Sequence, residues 1–154
     1  MRPLNLVITG FGTYCQRTQI NLEQLGTQGL YLITGDTGSG KTTIFDAITY
    51  ALYGTVNGHN RSVGMIRSTF ATPDIPTVVE LDFEYRGKTY NVKRNPEYER
   101  RSLRGDSVTK QTADATLTMP DGSVITGQSK VTAQIVELLG IDTEQFSQNL
   151  RLKP

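Results

Sequence analysis

Gly35-Asp36-Thr37-Gly38-Ser39-Gly40-Lys41-Thr42 is the stretch whose reading decides the fold. Glycines at 35, 38 and 40 remove side chains where backbone N–H groups have to close around a bulky anion. A helix opening near Gly40 would aim its unpaired amides and the positive end of its dipole at the same place. Lys41 brings a cation to the β- and γ-phosphates, and the Thr42 hydroxyl suits Mg²⁺. Gly35, Asp36, Thr37, Gly38, Ser39, Gly40, Lys41, Thr42 and Thr43 are therefore the candidate residues for a nucleoside triphosphate, with Thr42 the candidate metal ligand.

The flanks supply the context that such a loop requires. Leu30-Tyr31-Leu32-Ile33-Thr34 is a nearly continuous apolar run, the pattern of a strand covered on both faces. Lys41 through Tyr53 places Ile44, Ala47, Ile48, Ala51 and Leu52 at steps of three and four, which predicts a helix with one apolar face, ended by Gly54. Strand, glycine loop and helix thus follow in order. Further out, residues 4–10 read as a first strand, Phe11-Gly12-Thr13-Tyr14 as a turn, and Thr18–Leu22 as a half-exposed strand. Val78–Tyr85 and Lys88–Arg94 across Arg86-Gly87 predict a β-hairpin. Thr116–Met119 and Ser123–Thr126 across Pro120-Asp121-Gly122 predict a second. Lys130–Leu139, capped by Gly140, reads as a helix, and Asp142 or Thr143 can cap one more. Residues 55–76 and 95–114 are polar and read as surface loops, the second irregular.

Bulk composition bounds the rest. The chain has 154 residues, 36% hydrophobic and 20% charged, with net charge +1, which suits one folded domain and marks no general nucleic-acid or membrane surface. A single cysteine and a single histidine exclude an internal disulfide and any thiolate- or imidazole-rich metal site. No stretch predicts a transmembrane helix or a signal peptide, and a cytoplasmic location is expected.

Holding a triphosphate is not hydrolysing it. Turnover needs an acidic residue at the end of a second buried strand and a group that positions water. Val78-Val79-Glu80 and Val136-Glu137 come nearest, and neither has a fully buried run before the acid. No complete catalytic set is read in this chain.

The run from Ile33-Thr34-Gly35 through Thr42-Thr43-Ile44-Phe45-Asp46-Ala47-Ile48 to Ala51-Leu52-Tyr53-Gly54 resembles the N-terminal ATPase lobe of the SbcC family. That family supplies the ATPase subunit of the SbcCD nuclease and is related to SMC proteins. Pro3-Leu4 through Tyr14, Met65-Ile66-Arg67-Ser68, Phe70-Ala71, Val79–Phe83, Tyr90–Arg94, Leu138–Asp142 and Gln145-Phe146 share the likeness, which covers residues 1–148. The resemblance implies an α/β P-loop NTPase fold of the ABC/SMC-head type: an N-terminal lobe with a mixed sheet, β-hairpins and a P-loop helix. It implies ATP and Mg²⁺ as ligands, with Thr13, Tyr14 and Arg67 near the nucleoside. It implies as partners a C-terminal lobe, a second SbcC-like head, an SbcD-like nuclease and DNA, and apolar surface left bare when the lobe stands alone.

Residues 149–154 diverge from the family, so Gln145 and Gln148 do not inherit its water-positioning glutamine. The Walker B acid, signature segment, coiled coil and C-terminal lobe have no counterpart, and the reading is of a first lobe from a truncated or split chain. ATP hydrolysis is expected only on completion by the missing lobe. The alternatives are an inactive nucleotide-binding or interaction fragment and, further off, a piece of an ABC-transporter ATPase.

Residues 86–104 hold seven basic and two acidic side chains, net +5, and offer a DNA-facing surface with Tyr90 and Tyr98 for stacking, against the alternative of a solvated hairpin. His59 reads as an exposed loop residue, Cys15 as a packing or incidental thiol, and Asp46 as helix-surface polarity or a local hydrogen-bonding group rather than a metal ligand. Tyr50, Tyr53, Tyr85 and Tyr90 otherwise suit core or hairpin positions.

Overall fold

A computed structural model describes residues 1–26, 33–56, 63–103, 105 and 107–149. Among these residues eight strands and three α-helices follow one another: β1 (Arg2–Thr9), β2 (Thr18–Asn21), α1 (Lys41–Tyr53), β3 (Val78–Tyr85), β4 (Lys88–Asn95), β5 (Tyr98–Arg101), β6 (Val108–Gln111), β7 (Asp114–Thr118), β8 (Val124–Thr126), α2 (Gln128–Leu139) and α3 (Thr143–Asn149). Six strands form one sheet in the order β2-β1-β3-β4-β7-β8, and β5 pairs with β6 alone.

Alternation along the strands builds a two-faced sheet. One rung runs Ile20–Leu6–Leu81–Val92–Leu117–Ile125 across all six strands, and Leu6, Leu81, Val92 and Leu117 are fully buried. The next rung of the same face runs Ile8–Val79–Arg94–Ala115. Helix α1 packs this face over β3 and β4, and α2 over β7 and β8. The intervening rungs are polar: Gln19–Val7–Glu80–Lys93–Thr116 and Asn5–Asp82–Asn91–Thr118. Asn5 and Asn91 donate to Asp82 at 3.1 and 2.7 Å, so this outer face is knitted by side-chain hydrogen bonds.

Every pairing among the described strands is antiparallel. Of the strand expected at Leu30–Thr34, residues 30–32 lie outside the described residues, and Ile33 and Thr34 form no regular element. Both expected hairpins are present. Arg86 and Gly87 have φ of 51° and 73°, the double left-handed turn that suits a two-residue hairpin. Asp121 Oδ1 accepts from the Ser123 amide and hydroxyl to close the other. The irregular loop expected over 95–114 is instead the β5–β6 hairpin, because Tyr98–Arg101 and Val108–Gln111 pair backbone to backbone with few large side chains to announce it.

Helix α1 spans the expected residues, but its burial exceeds one face: from Asp46 to Tyr53 every residue is buried. Asp46 is therefore not on the helix surface. The third helix has a reciprocal capping box, with Gln145 N–H donating to Asp142 Oδ1 at 2.9 Å and Asp142 N–H to Gln145 Oε1 at 3.0 Å. Tyr53 packs on Phe146 at 5.3 Å between centroids, which docks α3 against α1. The expectation for His59 lies outside the described residues.

The two sheet faces make an opposed pair of expectations. Leu81→Ala should cost about 2–5 kcal/mol through a buried cavity, whereas Thr116→Ala on the outer face should stay within about 0.5 kcal/mol. Urea unfolding followed by circular dichroism measures both, and equal losses would contradict the two-faced sheet.

Candidate phosphate-binding site

The glycine-rich loop stands at the head of α1. Residues 34–39 are exposed, and Gly40, the cap of the helix, is buried. Gly40 has a φ of +92°, and a Cβ there would lie 2.7 Å from Thr13 Oγ1 and 2.9 Å from the Tyr14 hydroxyl. Only glycine allows the turn after β1 to close on the helix terminus. Gly38 also has positive φ, at +87°, but faces open space with no protein atom within 4 Å of the added carbon.

The donors converge. Ser39 N–H closes the turn on Asp36 O at 3.2 Å, and the first helical bond runs from Ile44 N–H to Gly40 O at 3.2 Å. No side chain caps α1, so the amides of Lys41, Thr42 and Thr43 have no acceptor among the described residues. The Lys41 ammonium folds back over the loop, donating to Gly35 O at 2.5 Å, Asp36 O at 2.6 Å and Ser39 Oγ at 3.4 Å. Cation and first-turn amides thus belong to one small exposed surface. An anion with several oxygens satisfies such a set; a neutral ligand does not.

Thr42 is exposed on the first turn. Thr43 faces the other way, where its hydroxyl accepts from Thr13 Oγ1 at 3.4 Å. Among the described residues no cluster of three or more His, Cys, Asp or Glu could hold a metal ion. A cation at this site would therefore take Thr42 and the ligand's own oxygens.

The structure brings Thr13 and Tyr14 to the loop. Phe11 and Tyr14 exchange backbone bonds of 3.0 and 2.9 Å, and the Phe11 ring packs on Tyr50 of α1 at 5.6 Å. Burial raises the Tyr14 pKa, so its hydroxyl is a neutral donor or acceptor at physiological pH. Arg67 reaches the turn only through its backbone, which bridges Phe11. Its guanidinium turns away, donating to Thr72 O at 2.8 Å, Ile75 O at 3.1 Å and Thr77 Oγ1, and lies 4.9 Å from the Tyr98 ring centroid. Cys15 donates its thiol to Phe70 O at 3.3 Å, a packing role.

The expected DNA-facing surface loses members. Tyr90 is buried and stacked on Phe83 at 5.2 Å, so it cannot stack on a base. Arg94 is buried inside the fold, and Arg101 is paired with Asp74 at 2.5 Å. Alternation explains both buried residues: positions 90, 92 and 94 share the core face of β4. Arg86, Lys88, Lys93 and Arg100 remain on or near the surface, and Arg104 lies outside the described residues. Neither Glu80 nor Glu137 joins the loop, since Glu80 projects from the sheet face opposite α1 and Glu137 is exposed on α2. Bare apolar surface is present, with Met65, Phe70 and Leu103 exposed at 72%, 78% and 90%.

A family model described as AAA domain matches residues 5–153, running past the point where the likeness read from the sequence ends. The SbcC subunit of the nuclease SbcCD from Vibrio cholerae is 40% identical over 152 residues, 96% of this chain. The proteins of the same name from Staphylococcus epidermidis and Staphylococcus aureus are 38% and 37% identical over the same share. The chain spans 15% of the length of each of these relatives.

The two glycines should separate strain from contact. Gly38→Ala should cost about 1–2 kcal/mol, the penalty of left-handed backbone alone. Gly40→Ala should cost roughly twice that, because it must also displace Thr13 and Tyr14. Equal losses in chemical denaturation would show that the turn does not lean on Gly40.

Proposed function

From the premise that the chain belongs to the AAA-domain family, we propose that it is the ATP-binding first lobe of an SbcC-like ATPase that serves a nuclease complex. The observation that carries the reading is the convergence on one exposed surface of the Lys41 ammonium and the uncapped amides of α1. Gly35 to Thr43 wrap the triphosphate in this reading, and Thr42 ligates the Mg²⁺ that accompanies it. The Mg²⁺ supplies charge neutralisation between phosphates when bound. Lys41 exchanges its loop carbonyls for phosphate oxygens, trading neutral acceptors for anionic ones. Thr13 and Tyr14 shape the wall next to the first turn and exclude water from that side.

Hydrolysis belongs to a larger assembly. The chain's own loop binds and orients, and a C-terminal lobe with a second head supplies the acid and the water-positioning group. An SbcD-like nuclease and DNA are the further partners, in the cytoplasm; no described helix is long and apolar enough to cross a membrane. The position of Glu80 on the far side of the sheet favours one other reading, a lobe that binds nucleotide without ever turning it over. The names of the relatives weigh against a transporter ATPase.

Isothermal calorimetry with Mg-ATP tests binding: Lys41→Ala should weaken it at least about tenfold, roughly 1.4 kcal/mol. No Lys41-dependent heat would sink the proposal. A second measurement separates the two readings. A separately expressed C-terminal lobe added to this chain should raise phosphate release, and Lys41→Ala should remove the gain; no gain would leave the binding-only reading.

A further inference from the structure

Arg94 is the least expected residue of the core. It stands on β4, is 1% exposed, and fills the rung between Val79 and Ala115. Its Nε donates to Ala51 O and one Nη to Leu52 O, both at 3.1 Å. These are last-turn carbonyls of α1, which the helix itself leaves without partners. The other contacts reach α2: Nη1 donates to Gln128 Oε1 and Nη2 to Thr132 Oγ1 at 3.2 Å. Gln128 in turn donates to Asn95 O at 3.2 Å and Asp114 O at 3.0 Å, tying the same knot to β4 and β7.

No carboxylate pairs with Arg94 among the described residues. The negative end of the α1 dipole takes the place of a counter-ion. Burial pushes the guanidinium down to about 10, which leaves it charged at neutral pH. A buried apolar side chain would fill the rung at less desolvation cost, so what the guanidinium adds is geometry. Its planar fork grips two successive carbonyls and so fixes both the rotation and the axial position of α1. Gly54 makes room for it, since a Cβ there would lie 2.9 Å from Arg94 Nη1.

The grip matters at the other end of the rod. Helix α1 has 13 residues, a length of about 20 Å, and its first turn carries Lys41 and Thr42. At that end the side-chain hydrogen bond to the neighbouring turn is the 3.4 Å contact between Thr13 and Thr43. The firmer polar anchorage is at the C-terminal end. We infer that Arg94 is a positioning residue for the phosphate site: by clamping the last carbonyls of α1 onto β4 and α2, it fixes where the loop stands and so sets nucleotide affinity without touching the nucleotide. This rests on the reading of the loop as a Mg-ATP site.

The test uses the whole chain and a temperature at which circular dichroism shows every variant folded. Arg94→Met should weaken Mg-ATP binding about tenfold in calorimetry, since displacements near 1 Å at such sites have effects of this order or larger. Arg94→Lys should fall in between, because an ammonium reaches one carbonyl and not the pair. In the wild type, Mg-ATP should slow amide exchange at Gly54, whose N–H bonds Tyr50 O at 2.8 Å at the far end of the helix. That slowing should vanish in Arg94→Met. A folded Arg94→Met with wild-type affinity overturns the inference even if its melting temperature falls, because that pattern is a purely structural role. Should Arg94→Met fail to fold, exchange at Gly54 in the wild type decides, and nucleotide-independent exchange there overturns it. Wild-type binding that does not depend on Lys41 defeats the reading of the loop, and the inference with it. Lys41-dependent binding with unchanged Arg94→Met affinity defeats the inference alone.

Discussion

Helix α1 has to be buried at one end and bare at the other, and the rest of the molecule follows from that constraint. Its last eight residues are enclosed on all sides, while the loop leading into it is exposed. Burying a helix all round demands layers on several sides, and the chain provides them: the sheet beneath, α2 alongside and α3 across the end. Within the cross-strand row, Leu81 and Val92 on β3 and β4 lie on the part of the sheet that the helix packs against. Enclosure also isolates the C-terminal carbonyls from water, and an isolated carbonyl costs about as much as a lost hydrogen bond. Arg94 satisfies the carbonyls of Ala51 and Leu52, and the N–H of the left-handed Gly54 satisfies that of Tyr50.

The bare end obeys the opposite logic. A side-chain cap at the start of α1 would satisfy its orphan amides and leave less for a ligand. Glycine stands at the cap position instead, contributing conformation but no competing oxygen. The β1 turn presses against Gly40 without bonding the open amides. The same sheet thus addresses both ends of the helix, through β1 at the start and β4 at the finish. A disturbance of strand register would reach the loop by either route.

How much of this is legible in the sequence varies with the kind of signal. The loop, α1, Gly54 and both sheet hairpins rest on local chemistry, namely glycine conformations, apolar spacing and turn residues, and local chemistry is readable residue by residue. The β5–β6 hairpin escapes such a reading because Tyr98–Arg101 and Val108–Gln111 bury no residue fully, so no apolar alternation announces them. Arg94 and Tyr90 count toward a basic, aromatic surface in the sequence because charge and ring are visible there and direction is not. Yet the alternation that puts Val92 in the core carries its neighbours two residues away with it. Read that way, β4 shows an arginine in the core and prompts the question of what it holds. Arg67 has no such signal: its backbone bridges the turn at Phe11, but only the fold of residues 71–77 draws the guanidinium away.

The separation of binding from turnover is the last consequence. The described residues offer the loop a cation, amides and hydroxyls, all suited to negative charge, and no carboxylate cluster that would hold a metal or water. The face of the sheet that does carry Glu80, Asp82 and Glu84 is turned away from α1, and Asn5 and Asn91 already occupy the oxygens of Asp82. Among the described residues, neither Glu80 nor Glu137 stands where it could act as a base for water at this loop. Under the proposed reading, nucleotide acts first as a ligand that stabilises the lobe by mass action and only later as a substrate. A lobe arranged in this way can be loaded without committing to hydrolysis. Under that reading, commitment depends on which surface closes over the exposed first turn of α1.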